Sequence, residues 1–406
     1  MMNRRTLLSW AGASILSRAF CSDGAQFRQR PVRRGDGKGG WVTHPSEIQF
    51  LHRKDGTGIK PFGISQMDNG EVILVASWDD GSAAKSAKDR EKPVVAFTRD
   101  GGGTWTDFQL VEGARGRPVM LTDLGKGKLF FQTDLTNPIQ QHFSADYGRT
   151  WPERRVLQPP SIEGSFGGVE GFYGGEGNPL VDGVKRVGAI GFTYKRGTTF
   201  PADPAVGMLR WSTDGGRSWS KEITPPVWLW KDEFQGKTYM RGISEGSLVR
   251  AANGWIVAAL RTDMPYRFNT LHNDNLEGIA VSISKDDGAT FSPLHGLYQG
   301  GRMHANLLRL PNGHLVMTYI VRQDYEGITR VSYRRGCEAL ISRDNGQTWD
   351  MRGKYILDEF EYSDGTPLST ACGHLSSTLL DDGRILTTYG NYLAKAAVVI
   401  RWKPAA

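Results

Sequence analysis

Three residues with acid–base chemistry share one position in a repeated pattern. Glu245, His304 and His374 each stand nine residues before a glycine (Gly254, Gly313 and Gly383) in runs of apolar strand, glycine turn and second apolar strand. A carboxylate and two imidazoles at one register are groups that can move protons near neutral pH. The same count gives Pro61 before Gly70, and Pro118, beside Arg117, before Gly127. A less regular run from Asn178 to Tyr194 has Glu176 just before it. Each second strand should run antiparallel and return to the same side. Those strands end in Asp79 and Asp80, Asp134, Lys195 and Arg196, Arg261, Arg322 and Asn391. A ring of polar side chains is therefore expected around one opening, where concave sites are commonly built.

A second repeat must position these strands. Ser342-Arg343-Asp344-Asn345-Gly346-Gln347-Thr348-Trp349 has four siblings, Thr98 to Trp105, Ser144 to Trp151, Ser212 to Trp219 and Ser284 to Phe291. In each, the Asp can accept hydrogen bonds from the backbone of its own turn, and the Gly can supply a positive φ. The closing aromatic should pack between neighbouring sheets. These aspartates are read as turn staples, far from the chemistry. Such a period signals stacked supersecondary units. Six strand–turn–strand frames predict an all-β fold, a six-bladed β-propeller of four-stranded antiparallel blades. The stretch from Ser46 to His52 should complete the last blade and close the ring, which removes free sheet edges.

The five turns resemble the Asp-box, or bacterial neuraminidase repeat, of the sialidase-like β-propeller family. The stretch from Arg241 through Glu245 to Arg261 is similar to that family's fourth blade. The resemblance implies that Glu245 assists a nucleophile and that Arg261 belongs to a carboxylate-binding arginine triad. It also implies a further triad arginine in Thr329 to Arg335, with Arg334 favoured and Arg330 next. Two positions depart from the family pattern. Gly63, in Phe62-Gly63-Ile64-Ser65, stands where the family has its first arginine. His374, in Cys372-Gly373-His374-Leu375, stands where it has its nucleophilic tyrosine. Asp79, Asp80 and Asp89 are the candidates for its acid/base aspartate.

The resulting expectation is an exported sialidase-like glycoside hydrolase acting on an acidic glycan that contains sialic or uronic acid. Glu245, His374, Asp79 and His304 are the catalytic candidates. Arg261, Arg334, Arg322, Arg117 and Glu176 are the substrate-binding candidates. His374 suits a general base better than a glycosidic nucleophile. Two alternatives use the same scaffold. One is a polysaccharide lyase pairing His374 or His304 with Tyr389, Tyr319 or Tyr266. The other is a glycan-binding propeller without catalysis. No cofactor is expected. A metal held by His304, His374 and Glu245 is set aside, because no short ligand spacing supports it. Glycine-rich Glu163 to Gly177 lacks the Lys-Ser/Thr of a phosphate loop, and its Phe172 and Tyr173 could stack on a sugar.

The chain has 406 residues and a formal charge of +7, part of it near the N-terminus. No long basic block points to nucleic acid. Arg4-Arg5 followed by Leu7-Leu8 and small residues reads as an export signal of the twin-arginine kind over 1–25. Its apolar run is too short to span a bilayer. Cys21 is a lipid-anchor candidate that Arg18-Ala19-Phe20 fits poorly. Residues 26–40 read as a disordered basic linker, and 41–406 as the propeller. Cys337 and Cys372 are either a bridge or two buried thiols.

Overall fold

The second strand of a propeller blade is covered on both faces by neighbouring blades, so its sequence need not alternate. Val72–Asp79, Leu129–Asp134, Ile256–Asp263, Leu315–Val321 and Ile385–Asn391 are near-continuous apolar runs of this kind, buried along almost their whole length. The computed structural model describes residues 27–79, 90–134, 138–162, 177–183, 185–195, 205–234, 236–263, 277–327, 329–362 and 371–405, with strand pieces at 164–166, 169–170 and 173–174. The expected export signal and Asp80, Asp89, Phe172, Glu176, Arg196 and Tyr266 lie outside the described residues.

The strands form six antiparallel blades around an axis. The inner strands are Ile59–Gln66, Arg117–Asp123, Leu180–Asp182, the second half of Lys237–Arg250, Arg302–Arg309 and Cys372–Leu379. The third blade is the irregular one. Its second strand, Arg186–Lys195, pairs with separate short pieces at Gly164–Phe166, Tyr173–Gly174 and Leu180–Asp182. Ser46–Leu51 pairs with the last strand, Ala396–Trp402, and completes the sixth blade.

The core is divided by the gaps between blades. Among the described residues six apolar clusters are present, and each joins two adjacent blades. Trp105, Trp151, Trp219, Phe291 and Trp349 close their turns in five different gaps. The sixth gap, between blades five and six, is filled by Trp402 and Tyr355. Each turn thus pins an aromatic wedge between two sheets.

The turn hydrogen bonds explain the residue types. Asp344 accepts from the Thr348 backbone at 2.9 Å and from its hydroxyl at 2.6 Å, while Ser342 Oγ accepts from Gly346 N at 2.8 Å. Asp100, Asp146, Asp214 and Asp286 repeat this arrangement. These bonds favour the ionised form. The side chain and backbone of Thr290, with Ser284, pull Asp286 down to about 2 from 3.8. For Asp100, Asp146, Asp214 and Asp344 burial acts the other way, but the turn donors outweigh it and their carboxyls also sit below the usual value. A carboxyl depressed by folding stabilises the fold above its unfolded pKa and loses that contribution as pH falls through the folded one. The thermal midpoint should therefore drop as pH falls from about 4 towards about 2. In Asp286→Asn the drop across that window should be shallower; an unchanged profile would remove Asp286 from the account.

The expected linker at 26–40 is corrected. Arg28–Gln29 pairs with Ser46–Leu51 on the sixth blade, and Val32–Gly35 pairs with the outer strand of the fifth. Arg30 reaches the buried Asp358 at 2.7 Å and Arg33 reaches Glu359 at 2.5 Å. Two of the basic residues that suggested disorder, Arg30 and Arg33, thus have acidic partners on the fifth blade, and Val32 enters the gap below them. Cys337 and Cys372 are both buried free thiols.

Candidate active site

Five of the six inner strands share a defect at one end. Register shifts occur at Pro61/Gly63, Ile243/Gly246, Met303/Asn306 and Gly373/Leu375, and opposite Phe130/Gln132 in the second blade. A bulge adds a residue to one strand and re-aims its side chain. Among the described residues, the strand positions other than glycine with positive φ are Met120 (58°), His304 (53°) and His374 (49°), all at these bulges. Such backbone is costly and collects at functional sites.

The bulges bring side chains from successive blades together. The Phe62 and His374 ring centroids are 4.0 Å apart, and those of His374 and His304 are 5.3 Å apart. His304 Nδ1 stands 3.2 Å from Glu245 Oε2, close to it but out of line for a full hydrogen bond. On the other side, Arg117 lies 5.8 Å over the Phe62 ring. The counted position therefore fails in the first blade: Phe62, not Pro61, occupies the bulge and meets His374. The bulge here falls one residue nearer its glycine than in the sixth blade, which a fixed count from the glycine does not register.

The second-strand ends return to the same opening. Arg117 donates two hydrogen bonds to Asp134, at 3.0 and 2.5 Å. Arg261 donates to Glu245 Oε1 at 2.7 Å and through Nε to Glu277 at 2.7 Å. Arg322 Nη2 donates to His304 Nε2 at 2.8 Å, and its Nε donates to the Cys372 carbonyl at 3.2 Å. A guanidinium only donates, so His304 Nε2 must accept. That places the imidazole proton on Nδ1, facing Glu245. Both ring nitrogens of His304 are thus engaged, and it acts as a link between Arg322 and Glu245. Glu277, Arg261, Glu245, His304 and Arg322 form one charged and polar chain across two blades.

The chain ends at Gly373. A Cβ there would stand 2.8 Å from Arg322 Nη2 and 3.0 Å from the Tyr392 hydroxyl. The missing side chain lets both groups approach the same spot. The Tyr392 and His374 ring centroids are 6.1 Å apart, and Lys60 Nζ lies 5.9 Å from the Tyr392 ring. Lys60 also pairs with the buried Glu91 at 2.7 Å.

Other sequence candidates fall elsewhere. Arg334 bonds Asp324 at 3.2 Å and Glu338 at 2.6 Å, and neither belongs to the ring. Arg322 reaches the ring in its place, because it ends a second strand whereas Arg334 starts a third. Asp79 pairs with Arg90 at 3.2 Å near the Lys60–Glu91 pair. Tyr389 donates to Asp358 at 2.6 Å within the gap between blades five and six, and Tyr319 bonds Tyr298 at 2.6 Å. At Gly63 a Cβ would overlap Leu121 of the next blade, so no arginine fits there. Tyr392, Glu91, Glu277 and Lys60 were not foreseen. A signal existed for two of them: Glu91 and Glu277 each stand seven residues before the first residue of a turn repeat, Thr98 and Ser284.

No protein-family model matches this chain, and no curated protein matches its sequence. Solved structures do resemble it. A Dyadobacter fermentans protein of unknown function has a TM-score of 0.61 at 19% identity, covering 88% of this chain and 98% of its own. The Hadza microbial sialidase Hz136 has a TM-score of 0.56 at 14% identity, covering 85% of this chain and 66% of its own. A Trypanosoma rangeli sialidase has a TM-score of 0.51 at 15% identity, covering 92% and 58%. At such identities the likeness establishes the fold and leaves the chemistry to the residues. The chain has a six-bladed β-propeller fold like that of the solved sialidases.

Proposed function

We propose that this chain is an exported glycoside hydrolase acting on an acidic glycan, one that contains sialic or uronic acid. The supporting observation is the chain Glu277–Arg261–Glu245–His304–Arg322, which delivers a guanidinium beside the Tyr392 hydroxyl and near His374. Arg322, with Arg117 across the opening, suits a sugar carboxylate, which guanidinium groups bind by charge-assisted hydrogen bonds. Glu245 orients Arg261 and His304 rather than giving up a proton. Tyr392 and His374 are the groups placed to attack the anomeric carbon or to activate water for that attack. Asp79 is the proposed acid for the departing oxygen, and Glu176 a further sugar contact. Export rests on the Arg4-Arg5 and Leu7-Leu8 segment.

One observation favours a second reading. An imidazole, a phenol and an arginine around one spot also suit β-elimination next to a uronate carboxylate. Incubation with sialyl and uronyl glycosides separates the two. Hydrolysis gives a saturated reducing sugar, whereas elimination gives an unsaturated sugar that absorbs in the ultraviolet. Tyr392→Phe and His374→Ala should each lower turnover by about a hundredfold or more. If the wild-type chain turns over no acidic glycan, both readings fail and a binding propeller remains.

A further inference from the structure

A second cluster of charge lies outside the ring, between blades four and five. Arg302, Lys354, Asp324 and Glu326 line a lateral cleft of about 650 Å³, with Tyr298 and Tyr325 in its wall. That volume is within the range of small-molecule sites, ~300–1,000 Å³. Arg334 and Glu338 stand behind it. Arg302 bonds Asp324 at 2.6 Å, Arg334 bonds Asp324 and Glu338, and Lys354 Nζ is 3.4 Å from Glu338. The network sets three cations against two carboxylates, and Glu326, which also lines the cleft, balances the charge, so any preference for an acidic group rests on guanidinium and ammonium donors rather than on net charge.

Both carboxylates are ionised. Burial would raise Glu338, but Lys354, Arg302 and Arg334 outweigh it and hold it below the usual range. Asp324 is held far below its usual value, because Ser332, Arg334 and Arg302 outweigh burial.

The network is incompletely paired. The Arg302 side chain is only 3% exposed and lines the cleft; its Nε lies 3.8 Å from Glu338 Oε2, and among the described residues neither it nor Arg334 Nη1 has a hydrogen-bond partner. Buried polar atoms without partners are costly, and water or a ligand commonly satisfies them. The cleft also continues into a second one of about 450 Å³, which has Leu229, Trp230 and Arg241 in its wall and shares Gly296, Tyr298 and Gln299 with the first. Aromatic faces beside charged groups are the usual furnishing for a sugar ring and its acidic substituent.

We propose that this lateral cleft is a second carbohydrate site, which holds a sugar bearing a carboxylate or a sulfate ester while the aromatic half seats neighbouring sugars. It does not depend on catalysis at the axial opening.

The test is calorimetric titration of the full chain carrying Arg322→Met, so that the axial site is impaired and the lateral one is read alone. The probes are tetragalacturonate, a galactose-sulfate tetrasaccharide and neutral cellotetraose. One of the two acidic probes should bind at one per chain, and cellotetraose should bind at least about tenfold more weakly. Whichever acidic probe binds identifies the substituent. Adding Lys354→Met or Tyr325→Ala should weaken that binding about tenfold, with thermal melting as the check on folding. The proposal is overturned if neither acidic probe binds in the Arg322→Met background, or if folded Lys354→Met and Tyr325→Ala chains both keep full affinity. Neither result bears on axial turnover, which the wild-type assay reads separately.

Discussion

Arg322→Met should lower turnover on an acidic glycan by about a thousandfold while the chain stays folded. Arg322 donates to His304 and to the Cys372 carbonyl, and its Nη2 comes close to the Tyr392 hydroxyl across Gly373. Truncating one partner of a buried, hydrogen-bonded charge contact costs about 2–5 kcal/mol, and a cost of about 4 kcal/mol corresponds to a thousandfold in rate. The loss should be much larger for a glycan that carries a carboxylate than for a neutral one, because the proposed role of the guanidinium is to bind the carboxylate. Arg322→Lys should recover little, since an ammonium cannot reproduce the planar fork. Steady-state kinetics on matched acidic and neutral aryl glycosides would decide this. Equal losses on both would assign Arg322 a structural role only.

The second large effect concerns stability. Arg261 sits between Glu245 and Glu277, whose side chains are 10% and 2% exposed. Arg261→Met would take the guanidinium from two buried carboxylates. Breaking a buried ion pair from one side costs about 3–5 kcal/mol, whereas replacing all its members with neutral groups is often tolerated. The single variant should therefore lose about that much in chemical denaturation. Arg261→Met combined with Glu245→Gln and Glu277→Gln should be more stable than Arg261→Met alone. A triple variant weaker than the single one would mean that the carboxylates stabilise the fold through other contacts.

Much of this fold could be read from the chain. The turn repeats carry their own physics, a hydroxyl and a carboxylate folding back on their turn, and the blade count followed from the six strand–turn–strand frames around them. The closing strand at Ser46–Leu51 followed from the need to leave no open edge. The limits have particular causes. A count from Gly70 reaches Pro61, because no sequence signal marks the bulge that puts Phe62 in the ring. Arg334 was preferred to Arg322 through a motif resemblance, although Arg322 already appeared among the second-strand ends. Tyr392 lies one residue past the strand end at Asn391, and only the approach permitted by Gly373 brings its hydroxyl to the site. The N-terminal strap was misread because a basic, glycine-rich stretch looks disordered until its acidic partners, Asp358 and Glu359, are placed beside it.

The central claim is that the axial opening holds an acidic sugar, and a crystal structure of the chain with its bound acidic product tests it most directly. The sugar carboxylate should lie within hydrogen-bond reach of Arg322, with the anomeric carbon facing Tyr392 and His374. A product bound with its carboxylate away from Arg322, or an opening left empty by a sugar that binds elsewhere, would contradict the account.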